Sequence, residues 1–243
     1  MKKIVTDIYG LLIKDTFNNK GGFEIIERDD GLIESRDAWS AYFLDYNGWS
    51  DVEKKAIKFA KGKVLDIGCG AGRHSLFLQR KGFMVTAIDN SPGSVEICKK
   101  RGIRNCLVLD IKNINKLNKK YDTFLLLGNN LGLLEDFKIG PKILDRIKKI
   151  ANPKSIIIAS TINPYLTKDP IHLNYHKKNL AKGLPAGGLR LRLRYKDFKG
   201  LWFNYLFASP EELKNLANSS GWKLKKIINS KNTTCYCAIL ELK

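Results

Sequence analysis

Five short apolar runs punctuate the chain between residues 63 and 160, at 63–67, 83–88, 104–109, 121–127 and 155–160. They are apolar at consecutive rather than alternate positions, so each strand needs cover on both faces. Helix signals fill the intervals. Residues 73–81 end at Gly82, Ser91-Pro92 supplies an N-cap with proline in the first turn of a helix ending near Gly102, and 141–151 form a helix with Pro153 beyond it. Such alternation predicts a doubly wound α/β fold, a parallel sheet with helices on both faces and right-handed crossovers.

The flanks read differently. Residues 1–50 are mixed: a short helix at 4–13, a polar acidic stretch at 23–36, then the aromatic cluster Trp39, Tyr42, Phe43, Tyr46 and Trp49. This predicts a helical cap preceding the main domain, residues 51–243. Ser50-Asp51-Val52-Glu53 is a capping box that opens a helix running to about Lys61. After Thr161 comes an insertion at about 165–207. It holds a helix at 169–182, a strictly alternating half-buried strand at 189–195, a turn at Lys199-Gly200 and a second strand at 201–207. Ser209-Pro210-Glu211-Glu212 opens a helix that stops at Gly221, and 223–228 and 236–242 are two closing antiparallel strands. The main sheet then has seven strands, mostly parallel.

Chemistry concentrates where the strands end. Val64-Leu65-Asp66-Ile67-Gly68-Cys69-Gly70-Ala71-Gly72-Arg73 is a strand, a glycine-rich turn and the start of a helix. Glycines let such a turn bend sharply and approach a ligand closely. The spacing is G-x-G-x-G, and the last position of a dinucleotide fingerprint is occupied by Arg73. The second strand ends at Asp89, where a carboxylate can accept bonds from both hydroxyls of a ribose. The third ends at Asp110, placed to accept from an adenine amino group. The fourth runs into Gly128-Asn129-Asn130-Leu131-Gly132. Taken singly, Asp89 is also an N-cap before Ser91-Pro92 and Asp110 a turn former. Their joint placement calls for a nucleoside.

From Lys63 to the end the chain resembles the class I S-adenosylmethionine-dependent methyltransferases, through its glycine turn, the acids at 89 and 110 and the helix-strand-strand ending. The resemblance implies S-adenosyl-L-methionine as cofactor. It implies that Asp66, Gly68, Cys69, Gly70 and Gly72 cradle the methionine part, that Asp89 holds the ribose, that Asp110 and Ile111 frame the adenine, and that Gly128 and Asn129 lie near the sulfonium. Arg73 and Asn90 complete the cofactor candidates. The part before residue 51 is similar to the cap of small-molecule members.

Methyl transfer from a sulfonium is an in-line displacement, so positioning and a dry site do most of the work. A base is needed only for a protonated acceptor. His172 and His176, one helical turn apart, are the candidates, with Asn129 beside the donor. The histidine pair has no following Glu and no third ligand, so no metal is expected. Tyr42, Trp49, Arg192 and Tyr205 are the substrate-binding candidates. Arg190, Arg192 and Arg194 share a strand face that fits either a substrate anion or solvent. Buried packing is the simpler reading for His74.

Composition leaves two readings of the partner. The 243 residues carry a net charge of +19, which suggests a polyanion such as RNA, yet only ten of the 43 basic residues are arginine and the lysines are scattered. The fourth turn also departs from the Asn/Asp-Pro-Pro-aromatic run of enzymes that methylate bases or glutamine. A small-molecule acceptor is therefore expected first, with an RNA acceptor or a non-catalytic nucleotide-binding module as alternatives. Five cysteines without a C-x-x-C pair fit a reduced, cytoplasmic setting. The chain starts like a leader at Met1, but Asp7 interrupts the apolar run. The longest apolar stretch, 124–134, contains two asparagines and is too short to span a bilayer, so no membrane is expected.

Overall fold

The computed structural model describes residues 3–243; Met1 and Lys2, at the head of the leader-like run, lie outside the described residues. In order the chain forms β1 (Lys3–Ile4), α1 (Ile8–Phe17), β2 (Phe23–Arg28), β3 (Ile33–Asp37), α2 (Ala38–Tyr42) and α3 (Asp51–Ala56). It continues with β4 (Lys63–Ile67), α4 (Arg73–Arg80), β5 (Met84–Asp89), α5 (Pro92–Lys100), β6 (Cys106–Val108) and β7 (Tyr121–Leu126). Then come α6 (Gly140–Lys149), β8 (Ala151–Ile162), α7 (Pro170–Ala181), β9 (Gly188–Tyr195), β10 (Phe198–Lys199) and β11 (Phe203–Leu206). The last elements are α8 (Pro210–Ser219), β12 (Trp222–Asn229) and β13 (Cys235–Leu242).

The main sheet has seven strands in the order β12-β13-β8-β7-β4-β5-β6. β5 runs parallel to β6 and β7 parallel to β8, while β13 is antiparallel to both β8 and β12. This is the mostly parallel, doubly wound architecture that the apolar runs require. Two compact units are distinguished by their internal contacts. One comprises the chain up to Trp49, Val64–Asn113 and Arg190–Phe203; the other comprises Ser50–Lys63, Ile114–Leu189 and Asn204–Lys243.

In the first unit the region before residue 50 is less helical than its composition suggests. The stretch at 23–36 is a hairpin: β2 pairs antiparallel with β3, and on its other side with β9, Ile25 opposite Arg194 and Glu27 opposite Arg192. A second, six-stranded sheet results, β1-β10-β9-β2-β3 with β11 on β9. The helix expected at 4–13 runs instead over Ile8–Phe17, because Asp7 caps it by accepting from the Gly10 N–H at 2.9 Å. Asp7 also accepts from Ser91 Oγ at 2.6 Å and from the Gly93 N–H at 2.8 Å, which seats α1 on the start of α5. A β-carbon on Gly93 would stand 2.5 Å from Gly10 Cα, so the two helices approach through glycine. The expected turn at Lys199-Gly200 moves to Lys196-Asp197: Phe198 pairs with Tyr195, and Lys196 takes the left-handed φ of 50°.

In the second unit the Ser50 hydroxyl caps α3, but the α-helix ends at Ala56 and gives way to one 3-10 turn, short of Lys61. β8 starts at Ala151, earlier than its apolar run. Pro153 and Lys154 sit where the β7–β8 register shifts, Lys154 at φ 59°, an irregularity that accommodates a proline within a strand. Trp222 and Phe124 are fully buried and meet edge to face at 6.2 Å. Full burial of a side chain such as Phe124 contributes about 1.5–3 kcal/mol. The capping box at Ser209 is complete: its hydroxyl accepts from the Glu212 N–H and the Glu212 carboxylate accepts from the Ser209 N–H. Among the described residues no helix is long and apolar enough to cross a membrane.

Candidate functional site

The turn between β4 and α4 places three glycines in the left-handed region, Gly68 at φ 70°, Gly70 at 56° and Gly72 at 79°. The N–H groups of Gly68 and Cys69 both donate to the Ile88 carbonyl, at 2.9 and 3.0 Å, which fixes the turn against the end of β5. A β-carbon on Gly72 would fall 2.1 Å from Ile103 Cδ1, a side-chain end that can move, so it is the left-handed φ that calls for glycine there. Asp66 lies beneath the turn, buried, and accepts from Ser75 Oγ at 2.7 Å. Burial raises its pKa, opposed by His74 and the Ser75 bond. The carboxylate expected to cradle a ligand is thus engaged inward, as a brace between β4 and α4.

Asp89 is half-buried at the end of β5. One carboxylate oxygen accepts from the Gly70 N–H at 2.8 Å and the other from the Ser91 N–H at 2.9 Å. Burial pushes its pKa up to about 6, against the lowering effect of those two bonds. Asn90 beside it is exposed. The Leu109 N–H donates to the Asp89 carbonyl at 2.9 Å, bringing the end of β6 alongside. There Asp110 accepts from the Lys112 N–H at 2.7 Å and so starts the 3-10 turn that follows, with Ile111 buried behind it. Asp110 therefore does the turn-forming work that the residue type allows, in a place that also suits an adenine contact.

The aromatic cap residues of this unit divide into two kinds. The half-buried Tyr42 faces the glycine turn: a β-carbon on Gly70 would lie 3.0 Å from its ring. Its hydroxyl donates to Glu24, which also holds Arg36. Burial, then the Glu24 charge, raises the Tyr42 pKa well above the ordinary value. Trp49 is 4% exposed. Its Nε1–H donates to the Leu44 carbonyl at 2.9 Å, its edge meets the buried His74 ring at 4.6 Å, and the Arg73 guanidinium lies 5.5 Å over it. The expected substrate contact at Trp49 gives way to packing on α4, because ring and N–H are both taken. Arg192 is likewise taken. It forms a bidentate pair with Glu27 at 2.6 and 2.8 Å, its guanidinium stacks 4.4 Å over Trp202, and Arg194 approaches the same carboxylate at 2.5 Å.

In the other unit, Gly128 at φ 73° and Asn129 at φ 67° turn the chain sharply after β7. The Gly128 N–H donates to Glu53 at 3.3 Å, the Asn129 N–H to Ser160 Oγ at 2.8 Å, and the Tyr205 hydroxyl to the Asn129 carbonyl at 2.7 Å. A β-carbon on Gly132 would fall 2.2 Å from the Tyr205 ring. Asn129 and Tyr205 are thus partners, and the part of Asn129 seen directly is its backbone. His172 and His176 are half-buried on the face of α7 that carries the buried Tyr175 and Asn179. Asn179 donates to the Gly188 carbonyl at 2.7 Å, so that face serves the 185–188 segment.

One cluster was invisible in the sequence. Cys69 of the glycine turn, Cys98 of α5 and Cys106 of β6 are buried with their sulfurs within 4.8 Å of one another. Positions 29 and 8 residues apart carry no spacing signal; only the adjacency of turn, helix and strand brings them together.

Comparison with known proteins follows the same lines. Residues 33–182 match the family model described as tellurite resistance protein TehB. A solved S-adenosylmethionine-dependent methyltransferase from Bacteroides fragilis, in complex with S-adenosyl-L-homocysteine, is 25% identical with a TM-score of 0.81, and the match covers 98% of this chain and 95% of that one. The ubiquinone biosynthesis O-methyltransferase of Pelagibacter ubique is 27% identical over 169 residues, 68% of this chain and 63% of that enzyme, so the chain spans just under two thirds of its length. The enzyme of the same description from Haemophilus ducreyi is 28% identical over 180 residues, 64% of this chain and 75% of that one.

Proposed function

The chain belongs to the TehB family and is a class I S-adenosylmethionine-dependent methyltransferase, and we propose that its acceptor is a hydroxyl oxygen of a small molecule. The O-methyltransferase relatives support the acceptor atom. The observation that carries the donor assignment is the Asp89 carboxylate, held 2.8 Å from the Gly70 N–H at the glycine turn.

On this reading the donor would lie along the turn at 68–72, where left-handed glycines leave the backbone bare for close approach. Asp89 would take the ribose hydroxyls, and Asp110 with Ile111 would frame the adenine. The turn at Gly128 and Asn129 is held by Ser160 and Tyr205. Tyr42, over Gly70, would cover the donor and exclude water. Bound S-adenosylmethionine supplies an already activated methyl group. The protein's share is orientation, worth about 7–11 kcal/mol of barrier when two reactants are held in line. Arg192 and Trp49 receive no part in substrate binding, since their partners are structural.

The test is release of S-adenosylhomocysteine from purified chain with a panel of small phenols, enols and amines, and with bulk RNA. Turnover with hydroxylated small molecules is expected. Turnover with RNA alone, or with amines alone, would overturn the acceptor assignment.

A further inference from the structure

We propose that Cys69, Cys98 and Cys106 form a binding site for trivalent arsenic, taken up as the neutral trihydroxide arsenite, behind the cofactor turn. The three sulfurs come from three different elements and lie within 4.8 Å of one another, Cys69 and Cys98 at 3.7 Å. Three-coordinate trivalent arsenic carries a lone pair and is pyramidal, so at about 2.3 Å from each sulfur, the usual zinc–thiolate distance, it calls for sulfurs within about 4 Å of one another. The cluster meets that with small side-chain adjustments.

Charge selects the occupant. The thiols sit in an apolar cluster with Leu76, Ala87, Val95 and Ile103. A divalent ion on three thiolates would leave a net negative charge there, which an apolar interior opposes. Structural zinc also wants a fourth ligand, and among the described residues the cluster holds three. A trivalent ion on three thiolates is neutral. The exchange balances: each As–O bond is replaced by an As–S bond, each thiol proton leaves with a hydroxide as water, and arsenic and sulfur keep their oxidation states. Access runs through β6, a three-residue strand at the sheet edge, the kind of element that opens locally.

Occupancy acts on the turn. The Cys98 thiol donates to the Gly70 carbonyl at 3.1 Å, and Cys69 stands between Gly68 and Gly70. Three As–S bonds remove that donor and pull Cys69 inward, so arsenite weakens cofactor binding. This second effect rests on the donor reading above; the coordination itself does not.

The experiment titrates the reduced full chain with sodium arsenite and reads the arsenic coordination by X-ray absorption. Three sulfur neighbours and no oxygen, at one arsenic per chain, are expected. Cys106→Ser should weaken arsenite binding at least about tenfold, and Cys235→Ser should leave it unchanged. Calorimetry with S-adenosylhomocysteine should show affinity lowered at least about tenfold by arsenite in the wild type. Two sulfurs with a retained oxygen, or unchanged arsenite binding in Cys106→Ser, overturns the site. Should that variant fail to fold, the sulfur count on the wild type decides. Three sulfurs with unchanged S-adenosylhomocysteine affinity overturns the coupling, and loss of S-adenosylhomocysteine binding without arsenite overturns the donor reading instead.

Discussion

The ring of Tyr42 lies directly over Gly70, 3.0 Å from the point where a β-carbon on that residue would stand. Gly70 also has φ of 56°, so alanine there meets two obstacles. A left-handed non-glycine residue costs about 1–3 kcal/mol. Gly70→Ala should lower the melting temperature by about 2–4 °C for each kcal/mol lost and abolish cofactor binding. Adding Tyr42→Ala relieves the clash but not the backbone strain, so the double variant should recover only part of the stability. Full recovery would show that contact alone forbids a side chain.

Asp89 gives the account its pH dependence. Its pKa is raised to about 6 by burial. A carboxyl raised above its unfolded value costs the ligand-free chain stability only where it is ionised; that cost grows from about pH 4 and is complete above about 6. Ribose hydroxyls donate to the ionised form. Affinity for S-adenosylhomocysteine should therefore be level above about pH 6 and fall about tenfold per unit below it. Calorimetry across pH 5–8 reads this, and a flat profile removes Asp89 from the ribose.

Glu27 serves Arg192 and Arg194 together, and its pKa is lowered chiefly by the bond from Arg192, with burial opposing. The sign is opposite to that at Asp89. The stability it contributes is present above the ordinary glutamate value of 4.5 and is lost as pH falls through the lowered one. Glu27→Gln should lower the melting temperature at neutral pH, by about 2–4 °C for each kcal/mol lost, and flatten its acid limb. Cofactor affinity should stay unchanged; a drop in that affinity would return the arginine face to the binding site.

Gly93 and Gly10 meet where α1 sits on α5, and a β-carbon on Gly93 would be 2.5 Å from backbone. Gly93→Ala should destabilise by about 1–3 kcal/mol, the cost of overpacking a tight contact. Thermal melting reads it. A neutral result would mean that α1 slides freely on α5.

Tyr205 of β11 donates to the Asn129 carbonyl. Tyr205→Phe keeps the ring against Gly132 and removes about 0.5–1.5 kcal/mol of hydrogen bonding. Turnover should fall while cofactor affinity changes little. Equal kcat in the variant would relieve Tyr205 of that part.

What was legible in the sequence is what local chemistry determines. Apolar runs at 63–67 and 121–127 became β4 and β7 within a residue, and the glycines of 68–72 announced a turn that only glycine can make. The hairpin β2–β3 was not legible. All of β3 is exposed, and the charge of Glu27 on β2 is answered by Arg192 on β9, 165 residues later. A strand stabilised by so distant a partner shows no apolar alternation of its own. For the same reason Asp7 read as an interruption rather than as the clamp on Ser91 and Gly93, and the three thiols read as unrelated. Arg192 and Trp49 have the composition of a substrate site, but burial and partners decide, and those belong to tertiary structure.

The most direct measurement is calorimetric titration of the purified chain with S-adenosylhomocysteine, beside Asp89→Ala and with NAD as the competing nucleotide. One S-adenosylhomocysteine per chain, lost in Asp89→Ala, with no heat from NAD, is the expected result. Binding of NAD in its place, or undiminished S-adenosylhomocysteine affinity without the carboxylate, would contradict the central claim.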